Sequence, residues 1–482
     1  MSEQRRLTTE EKALKINLRS DIYGSFAEIG AGQEVAANFF KAGGSSGTIA
    51  YTHSAYDMKV SDSMYGKCSR YVCEDRLMQM LKKEYTTLET TLHERASATR
   101  FFAFANTVES LNYHKTNQGH GWIGLKFQDE LGQPPNEIVM HIKMHDTSHK
   151  RQQEALGILG VNLIHSAYFE HHSIEDFLTA LTYRLPRSRV EIDMLRVSGS
   201  DLQKLDNRII ALKLVKMGLT DATMFDQSGA VLQPSTALYK KNVLLMRGRF
   251  RPMTKVHVNM IEAGTKQYLA EEDVTKDNVC LVLELTLKDL TADGKISDAD
   301  FIDRAELLCS MGYTVMISNY LKHYKMIEYL SSITRNKKIG VLLGIYNLQT
   351  IFDEKYYNTL NGGLLEAFGR GFGHNIKMYV YPALNVETGD IYDVDGFEIP
   401  SHLVGLLDYM LKTNKLAKIE SFDKRLLHIL SDDVLSKIHS GVSNWVEDVP
   451  ESVMKAIKFY QLFGFREEKF SKVKTPTSEP SS

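Results

Sequence analysis

Cysteine is scarce in this chain, and its scarcity excludes two kinds of fold. The four cysteines are too few and too scattered for a disulfide framework. Cys68 and Cys73 lie five residues apart, which is not the spacing of a zinc-binding pair, and no second pair of ligands accompanies them. We therefore expect reduced thiols, as in a cytoplasmic protein.

Long apolar runs and an excess of one charge are missing as well. No stretch approaches the ~18 consecutive apolar residues of a membrane-spanning helix. The N-terminus, MSEQRRLTTEEKALKINLRSD, carries charges but no apolar stretch, so we expect no signal peptide. The formal net charge of −2 provides no general attraction to nucleic acid or anionic lipid. We expect a cytoplasmic protein whose partners include neither nucleic acid nor a membrane.

The length of 482 residues predicts about two or three domains, and the first part of the chain mixes helical and strand patterns. Residues 32–43, 74–92 and 149–169 carry apolar side chains at helical spacing. We assign residues 1–232 to an N-terminal α+β region. Extended runs predict its strands at 99–108, 119–128, 136–146 and 189–197.

The second part of the chain alternates continuous apolar runs with helical stretches. This pattern is typical of a parallel sheet that is covered on both faces. We predict a Rossmann-like parallel α/β domain over 233–400, a helical C-terminal segment over 401–466 and a disordered tail over 467–482. The apolar runs lie at 242–246, 279–287, 312–319, 337–345 and 376–384.

Residues 247–257, RGRFRPMTKVH, concentrate basic side chains in a protein that is otherwise nearly neutral. They follow the apolar run NVLLM and precede a helical pattern over 257–270. Glycine lets a backbone approach phosphate, and a helix N-terminus offers free N–H donors and the positive end of its dipole. A strand, a basic turn and a helix in this order predict a phosphate site.

Gly248, Phe250, Pro252, Thr254 and His257 fit the pattern G-x-F-x-P-x-[HT]-x-x-H. The pattern resembles the signature of the nucleotidyltransferases that build NAD and related dinucleotides. The resemblance implies a nucleotidyltransferase-like domain in which His257 and Thr254 are catalytic and contact the triphosphate as charge builds on its bridging oxygen. It implies a small-molecule nucleotide as partner, with ATP and Mg²⁺ as cofactors. The nucleotide-binding residues would be Gly248, Arg249, Phe250, Arg251 and Lys255, with further countercharge from Arg247.

The turn departs from this signature in two ways. Val256 stands where the family has glycine, and its side chain would hinder the close approach of a phosphate. The family also has a Ser-Ser-Thr-x-x-Arg motif that opens a helix, whereas the nearest match, SSITR at 331–335, closes one at the end that repels anions. The alternative is a basic surface turn in which His257 is hydrogen-bonded or solvated.

Residues 289–300, DLTADGKISDAD, place oxygen side chains at the ligand positions of a calcium loop. Position 12 is Asp300 where glutamate is usual, the loop occurs once, and a strand pattern precedes it. We therefore favour a polar connection in which Ser297 or Asp298 caps the next helix. The candidate ligands and the turn glycine are Asp289, Thr291, Asp293, Gly294, Ile296, Ser297 and Asp300.

Residues 29–35, IGAGQEV, superficially match a dinucleotide-binding loop. No strand with the required spacing is predicted before them, so we interpret the stretch as a loop and the start of a helix. Beside this stretch, ATRFFAFANTV, QQEALGILGVNLI and VLQPSTALYKK resemble a family of bacterial proteins of similar length. Its members carry two names, TonB-dependent receptor and nicotinate-nucleotide adenylyltransferase. The first does not suit a chain without successive alternating strands of ~10 residues.

The 23 tyrosines and 21 phenylalanines favour a second hypothesis for function. Aromatic side chains are enriched at protein–protein interfaces. A non-catalytic scaffold or assembly protein that forms a homo-oligomer is therefore the alternative to a nucleotidyltransferase.

Overall fold

The computed structural model describes residues 6–30, 32–291, 297–373, 375–385 and 388–466. The chain divides into two compact units, Met1–Thr223 and Met224–Ser482. The tail predicted to be disordered, 467–482, and Asp293, Gly294 and Ile296 of the calcium-like loop lie outside the described residues. Within the described ranges, no helix combines the length and the apolar character needed to cross a membrane.

The first unit is built on a six-stranded mixed sheet. Its strands are β1 (Ile22–Gly30), β2 (Ile49–His53), β3 (Arg100–Glu109), β4 (Gly119–Phe127), β5 (Asn136–Met144) and β6 (Val190–Ser198). Their order is β2-β1-β3-β4-β5-β6, with β1 parallel to β2 and β3 and the remaining pairs antiparallel. The strands predicted at 99–108, 119–128, 136–146 and 189–197 are therefore confirmed as β3 to β6.

Helices cover both faces of this sheet. They are α1 (Thr9–Asn17), α2 (Glu34–Ala42), α3 (Met58–Tyr65), α4 (Glu74–Thr91), α5 (His149–Phe169), α6 (Ile174–Leu181) and α7 (Asn207–Lys216). Ile123 packs in the main core with α2 and α5, whereas a Cβ on Gly124 would meet Leu81 of α4 at 2.7 Å. Because neighbouring strand residues point to opposite faces, α4 lies on the face opposite α2 and α5.

The second unit carries an eight-stranded sheet. Its strands are β7 (Ala222–Phe225), β8 (Val231–Leu232), β9 (Asn242–Arg247), β10 (Val279–Thr286), β11 (Thr314–Ser318), β12 (Ile339–Gly344), β13 (Ile376–Tyr381) and β16 (Leu416–Lys418). Between β13 and β16, β14 (Ala383–Leu384) and β15 (Ile391–Tyr392) form a separate hairpin. Its helices are α8 (Pro234–Ala237), α9 (Lys255–Tyr268), α10 (Leu287–Leu290), α11 (Asp298–Ser310), α12 (His323–Thr334), α13 (Ile345–Ile351), α14 (Gly363–Gly371), α15 (Val404–Lys412), α16 (Ser431–Ser440) and α17 (Glu451–Tyr460).

Six parallel strands form the body of this sheet, in the spatial order β16-β13-β12-β9-β10-β11. The chain runs from β9 outward through β10 and β11, then returns to the other side of β9 and continues through β12, β13 and β16. This is the doubly wound order 3-2-1-4-5-6, in which ligands bind outside the carboxyl ends of the strands where the winding reverses. The reversal lies between β9 and β12.

The parallel sheet predicted from the apolar runs is confirmed, with β10 and β11 as parallel neighbours. It differs from the expected boundaries at its far end. Residues 401–466, expected to be a helical segment, contribute β16, which pairs with β13. A strand of three residues, Leu416–Lys418, is too short to show a periodic pattern in the sequence.

Glycine at position 264 sets how closely α9 packs on β12. A Cβ there would lie 2.1 Å from Leu342 Cδ2, and Leu342 is itself buried. We predict that Gly264→Ala lowers the free energy of unfolding by about 1–3 kcal/mol, because overpacking displaces the core. Gly369→Ala is the matched control, since nothing lies within 4 Å of the new Cβ. It should raise stability by about 0.5–1 kcal/mol through helix propensity. Urea unfolding of both variants measures the difference, and equal changes would contradict the packing.

Candidate functional site

The turn after β9 lies at the carboxyl edge of the sheet, at the point where the winding reverses. Gly248 N–H donates to the Glu284 carbonyl at 3.1 Å, so the chain leaves β9 alongside β10. Phe250 folds back with a φ of 45°, and its buried ring would lie 2.8 Å from a Cβ at position 248. Glycine at position 248 is therefore required by the ring of Phe250.

A buried ion pair joins the ends of the three central strands. Arg247 donates from Nε and Nη2 to the two oxygens of Glu284, at 2.9 and 2.8 Å. Ser318 Oγ donates to the same carboxylate at 2.5 Å, and Glu284 is fully buried. His323 opens α12 beside this pair, where burial and the Arg247 guanidinium lower its pKa to about 3. Arg247, predicted to supply countercharge, is instead held inside the sheet edge.

Thr254 and His257 lie together at the start of α9. Thr254 N–H donates to His257 Nδ1 at 3.1 Å, and Thr254 Oγ1 lies 2.9 Å from the same nitrogen. Because Nδ1 accepts, the hydrogen of the neutral imidazole is on Nε2. Burial lowers the pKa of His257 to about 4, so the ring is neutral at physiological pH. Phe250 packs edge-on against it, with ring centroids 5.4 Å apart.

The other basic side chains of the turn have partners within the second unit. Arg249 pairs with Asp432 of α16 at 3.0 Å, and Lys255 Nζ donates to the Glu447 carbonyl at 2.6 Å. Arg251 Nε lies 2.7 Å from Asp300 Oδ1. The turn therefore carries less free positive charge than its sequence suggests, because carboxylates of later segments pair with Arg249 and Arg251 and a backbone carbonyl binds Lys255.

Arg304, which is not among the predicted site residues, holds the backbone of the turn. Its side chain is almost fully buried in α11 and donates to the carbonyls of Arg249 at 3.1 Å and Asp289 at 3.3 Å. It also pairs with Asp300, four residues earlier on α11. Asp300, the last candidate ligand of the calcium-like loop, therefore serves the turn. The spacing of Asp300 and Arg304 on one helix is the signal that could have revealed the pair.

Two expectations about the neighbouring helix ends are confirmed. Ser297 caps α11 by accepting from Asp300 N–H at 3.3 Å. SSITR at 331–335 closes α12, with Arg335 in the left-handed region at a φ of 57°. SSITR therefore lies at the C-terminal end of α12, and the N-terminus of α11 is capped by its own serine.

A second serine–arginine segment follows β16 at the same edge of the sheet. Residues 421–425, SFDKR, place Ser421 and Arg425 four residues apart, like the last serine and the arginine of the family motif. Asp423 N–H donates to Asn259 Oδ1 of α9 at 3.0 Å, which ties this segment to the helix that carries His257. The segment was not predicted, because β16 before it is too short to show a strand pattern.

Residues 29–35 include the predicted helix start, since α2 begins at Glu34, but the strand before them was not predicted. β1 leads directly into this stretch, and Gly24 and Glu28 interrupt its apolar pattern in the sequence. Glu28 is buried and accepts from the N–H groups of Val35 at 3.0 Å and Ala36 at 3.2 Å, and burial raises its pKa to about 7. The N-terminus of α2 therefore already holds a carboxyl group from its own chain.

No family model matches the chain, and no curated protein does so either. Solved structures of competence- and damage-inducible proteins align with part of it. CihA from Agrobacterium tumefaciens is 19% identical over 34% of this chain and 96% of its own, with a TM-score of 0.24. A CinA-superfamily protein from Klebsiella pneumoniae is 14% identical over 36% and 98%, with a TM-score of 0.24. Likenesses this weak show neither the fold nor the function of this chain.

The depressed pKa of His257 predicts how stability changes in acid. As the pH falls below about 6.5, the unfolded chain takes up a proton at this histidine, while the folded chain does not until about pH 4. The contribution is thus present above pH 6.5 and lost as the pH falls toward 4. In His257→Asn, we predict a shallower fall of the unfolding free energy between pH 7 and 4.5, measured by urea titration. His428→Asn, at an exposed site of the same unit, is the control. Parallel slopes in wild type and His257→Asn would contradict the prediction.

Proposed function

We propose that residues 248–257 bind the phosphates of a nucleoside triphosphate, and that the protein transfers an adenylyl group from ATP to a mononucleotide. One observation carries the proposal: the turn follows the first strand of a 3-2-1-4-5-6 parallel sheet, beside the reversal of winding. Ligands of such sheets bind at this edge. The match of Gly248, Phe250, Pro252, Thr254 and His257 to the nucleotidyltransferase signature adds to it.

In this proposal His257 donates a hydrogen bond from Nε2 to the oxygen that bridges the α- and β-phosphates. A phosphate oxygen of the mononucleotide attacks the α-phosphorus, the bond to the bridging oxygen breaks, and pyrophosphate leaves with the electron pair. A donor aimed at that oxygen stabilises the charge that develops on it. Thr254 is the positioning residue, because its contacts to Nδ1 fix both the tautomer and the ring.

Magnesium fits this site only as a companion of the triphosphate. Across the described ranges, no three His, Cys, Asp or Glu side chains are grouped so that they could hold a metal ion. Mg²⁺ is commonly held by phosphate oxygens and water with one or two carboxylates. The ion would supply charge neutralisation on the triphosphate, while the chain binds and orients the nucleotide.

Binding also requires the turn to exchange partners. Lys255 N–H donates to the Asp448 carbonyl at 2.9 Å, Lys255 Nζ to the Glu447 carbonyl, and Arg249 pairs with Asp432. These donors are the ones a phosphate would use. Residues 432–448 therefore compete with the nucleotide for the start of α9.

His257→Ala tests the proposed reaction. Loss of a donor to developing charge costs about 2.7–4 kcal/mol, so pyrophosphate release from ATP, Mg²⁺ and nicotinate mononucleotide should fall ~10²–10³-fold. His428→Ala is the control, because it changes an exposed histidine of the same unit. Equal turnover in wild type and His257→Ala would refute the assigned role. Wild type that binds no ATP at millimolar concentration would refute the proposal itself.

Asp432→Asn tests the competition at Arg249. The substitution keeps the size of the side chain and removes the charge that holds the guanidinium, so calorimetry should show tighter binding of ATP by a few-fold, in line with an exposed pair of about 0.2–1 kcal/mol. Asp433→Asn is the matched control, because it makes the same change at the adjacent residue, whereas Asp432 is the residue that pairs with Arg249. An affinity for ATP that is the same in Asp432→Asn and in wild type would show that Arg249 does not contribute to ATP binding.

Self-assembly is a second candidate function, and the end of α17 favours it. Phe459 is 80% exposed and Tyr460 is 52% exposed, and a shallow cavity lies beside them. Exposed aromatic side chains of this size are typical of contact surfaces. Light scattering of wild type and Phe459→Ser would show an oligomer that the substitution dissociates.

A further inference from the structure

A row of titratable side chains crosses the antiparallel part of the sheet in the first unit. Asp193 of β6 accepts from His141 Nδ1 of β5 at 2.6 Å. His141 Nε2 lies 3.2 Å from His120 Nδ1 of β4, and His120 Nε2 faces Glu109 of β3 at 3.7 Å. Four neighbouring strands thus contribute one group each, from a buried carboxylate to the surface.

The hydrogen bonds in this row fix the proton on each ring. Burial alone would raise the pKa of Asp193, but His141 and Lys143 hold it well below its ordinary value, so Asp193 is an anion that only accepts. His141 therefore donates from Nδ1, and the neutral tautomer with this hydrogen presents the lone pair of Nε2 to His120. His120 must then donate from Nδ1, which leaves its own Nε2 as an acceptor. Burial lowers the pKa of His120, which favours the neutral form of this ring.

The local backbone is shaped for this arrangement. The register of β5 and β6 shifts between His141 and Ile142, and Asp193 is the extra residue of a bulge between Ile192 and Met194. Bulges re-aim side chains and are frequent beside active sites. Asp193 and His141 are nearly fully buried, whereas the side chain of His120 is 35% exposed. Buried charge is costly to keep, and here the Asp193 carboxylate pairs with both His141 at 2.6 Å and Lys143 at 3.2 Å.

We propose that His120 is the general base of a second catalytic site, which lies in the first unit and activates water or a hydroxyl group toward an activated ester. Nε2 takes the proton as the O–H bond breaks. The oxygen electron pair forms the new bond to the carbonyl carbon, and the leaving group departs with its own pair. Asp193 and His141 are positioning residues. Glu109 faces the nitrogen that becomes charged, which stabilises the imidazolium.

p-Nitrophenyl acetate hydrolysis by the full-length protein tests this assignment. His120→Gln should lose at least tenfold in kcat, since a positioned base contributes ~10²–10⁴-fold. His114→Gln, at an exposed histidine of the same unit, is the control and should keep the wild-type rate. His141→Gln and Asp193→Asn should lower kcat with KM unchanged, and thermal unfolding identifies variants that do not fold. Equal kcat in wild type and His120→Gln overturns the proposal.

Diethylpyrocarbonate provides a readout that does not depend on the ester or on a variant that folds. In wild type, peptide mass spectrometry should find His120 carbethoxylated several-fold faster than His114, because the relay presents a neutral, unprotonated Nε2. Modification of His120 no faster than His114 overturns the proposal as well.

Discussion

Glu284 is fully buried at the carboxyl edge of the parallel sheet, where Arg247 and Ser318 bind its two oxygens. The three residues belong to β9, β10 and β11, so one carboxylate holds the ends of three strands in place. The backbone of the same glutamate accepts from Gly248, which sets the direction of the chain into the turn. Removing one member of a buried ion pair typically costs about 3–5 kcal/mol. The position of Phe250, and with it the start of α9, depends on this pair.

The sequence predicted the parallel sheet because its strands are continuous apolar runs bounded by helices. It failed where a strand is short or carries polar groups. Leu416–Lys418 has three residues, and Ile22–Gly30 includes Glu28, whose carboxyl group is satisfied by backbone donors that a pattern cannot show. Strand order followed from neither composition nor periodicity, since it depends on which edges pair. The fold class was therefore predictable, and the position of the reversal beside β9 was not.

The candidate site was predictable in its local contacts and not in its long-range ones. Thr254 and His257 are three residues apart, so their contact follows from helix geometry. The partners of Arg249 and Lys255 lie about two hundred residues away, and no local pattern indicates that these charges are neutralised. The spacing of Asp300 and Arg304 indicates their pairing, but not that Arg304 also binds the carbonyls of Asp289 and Arg249. Local spacing thus indicates that Thr254 and His257 are in contact. How much positive charge of the turn is available to a ligand depends on the tertiary fold.

The carboxyl group of Glu28, which caps α2, affects whether the glycine-containing loop before this helix can bind a ligand. Glu28 is tethered a few residues from the helix terminus that it binds, so its effective concentration there is set by the chain and not by solution. A free phosphate or dinucleotide would have to displace the carboxyl group of Glu28, which belongs to the same chain and stays close to the helix terminus. The spacing of the glycines predicts the shape of the loop, but whether an anion can bind there depends on Glu28 of the preceding strand.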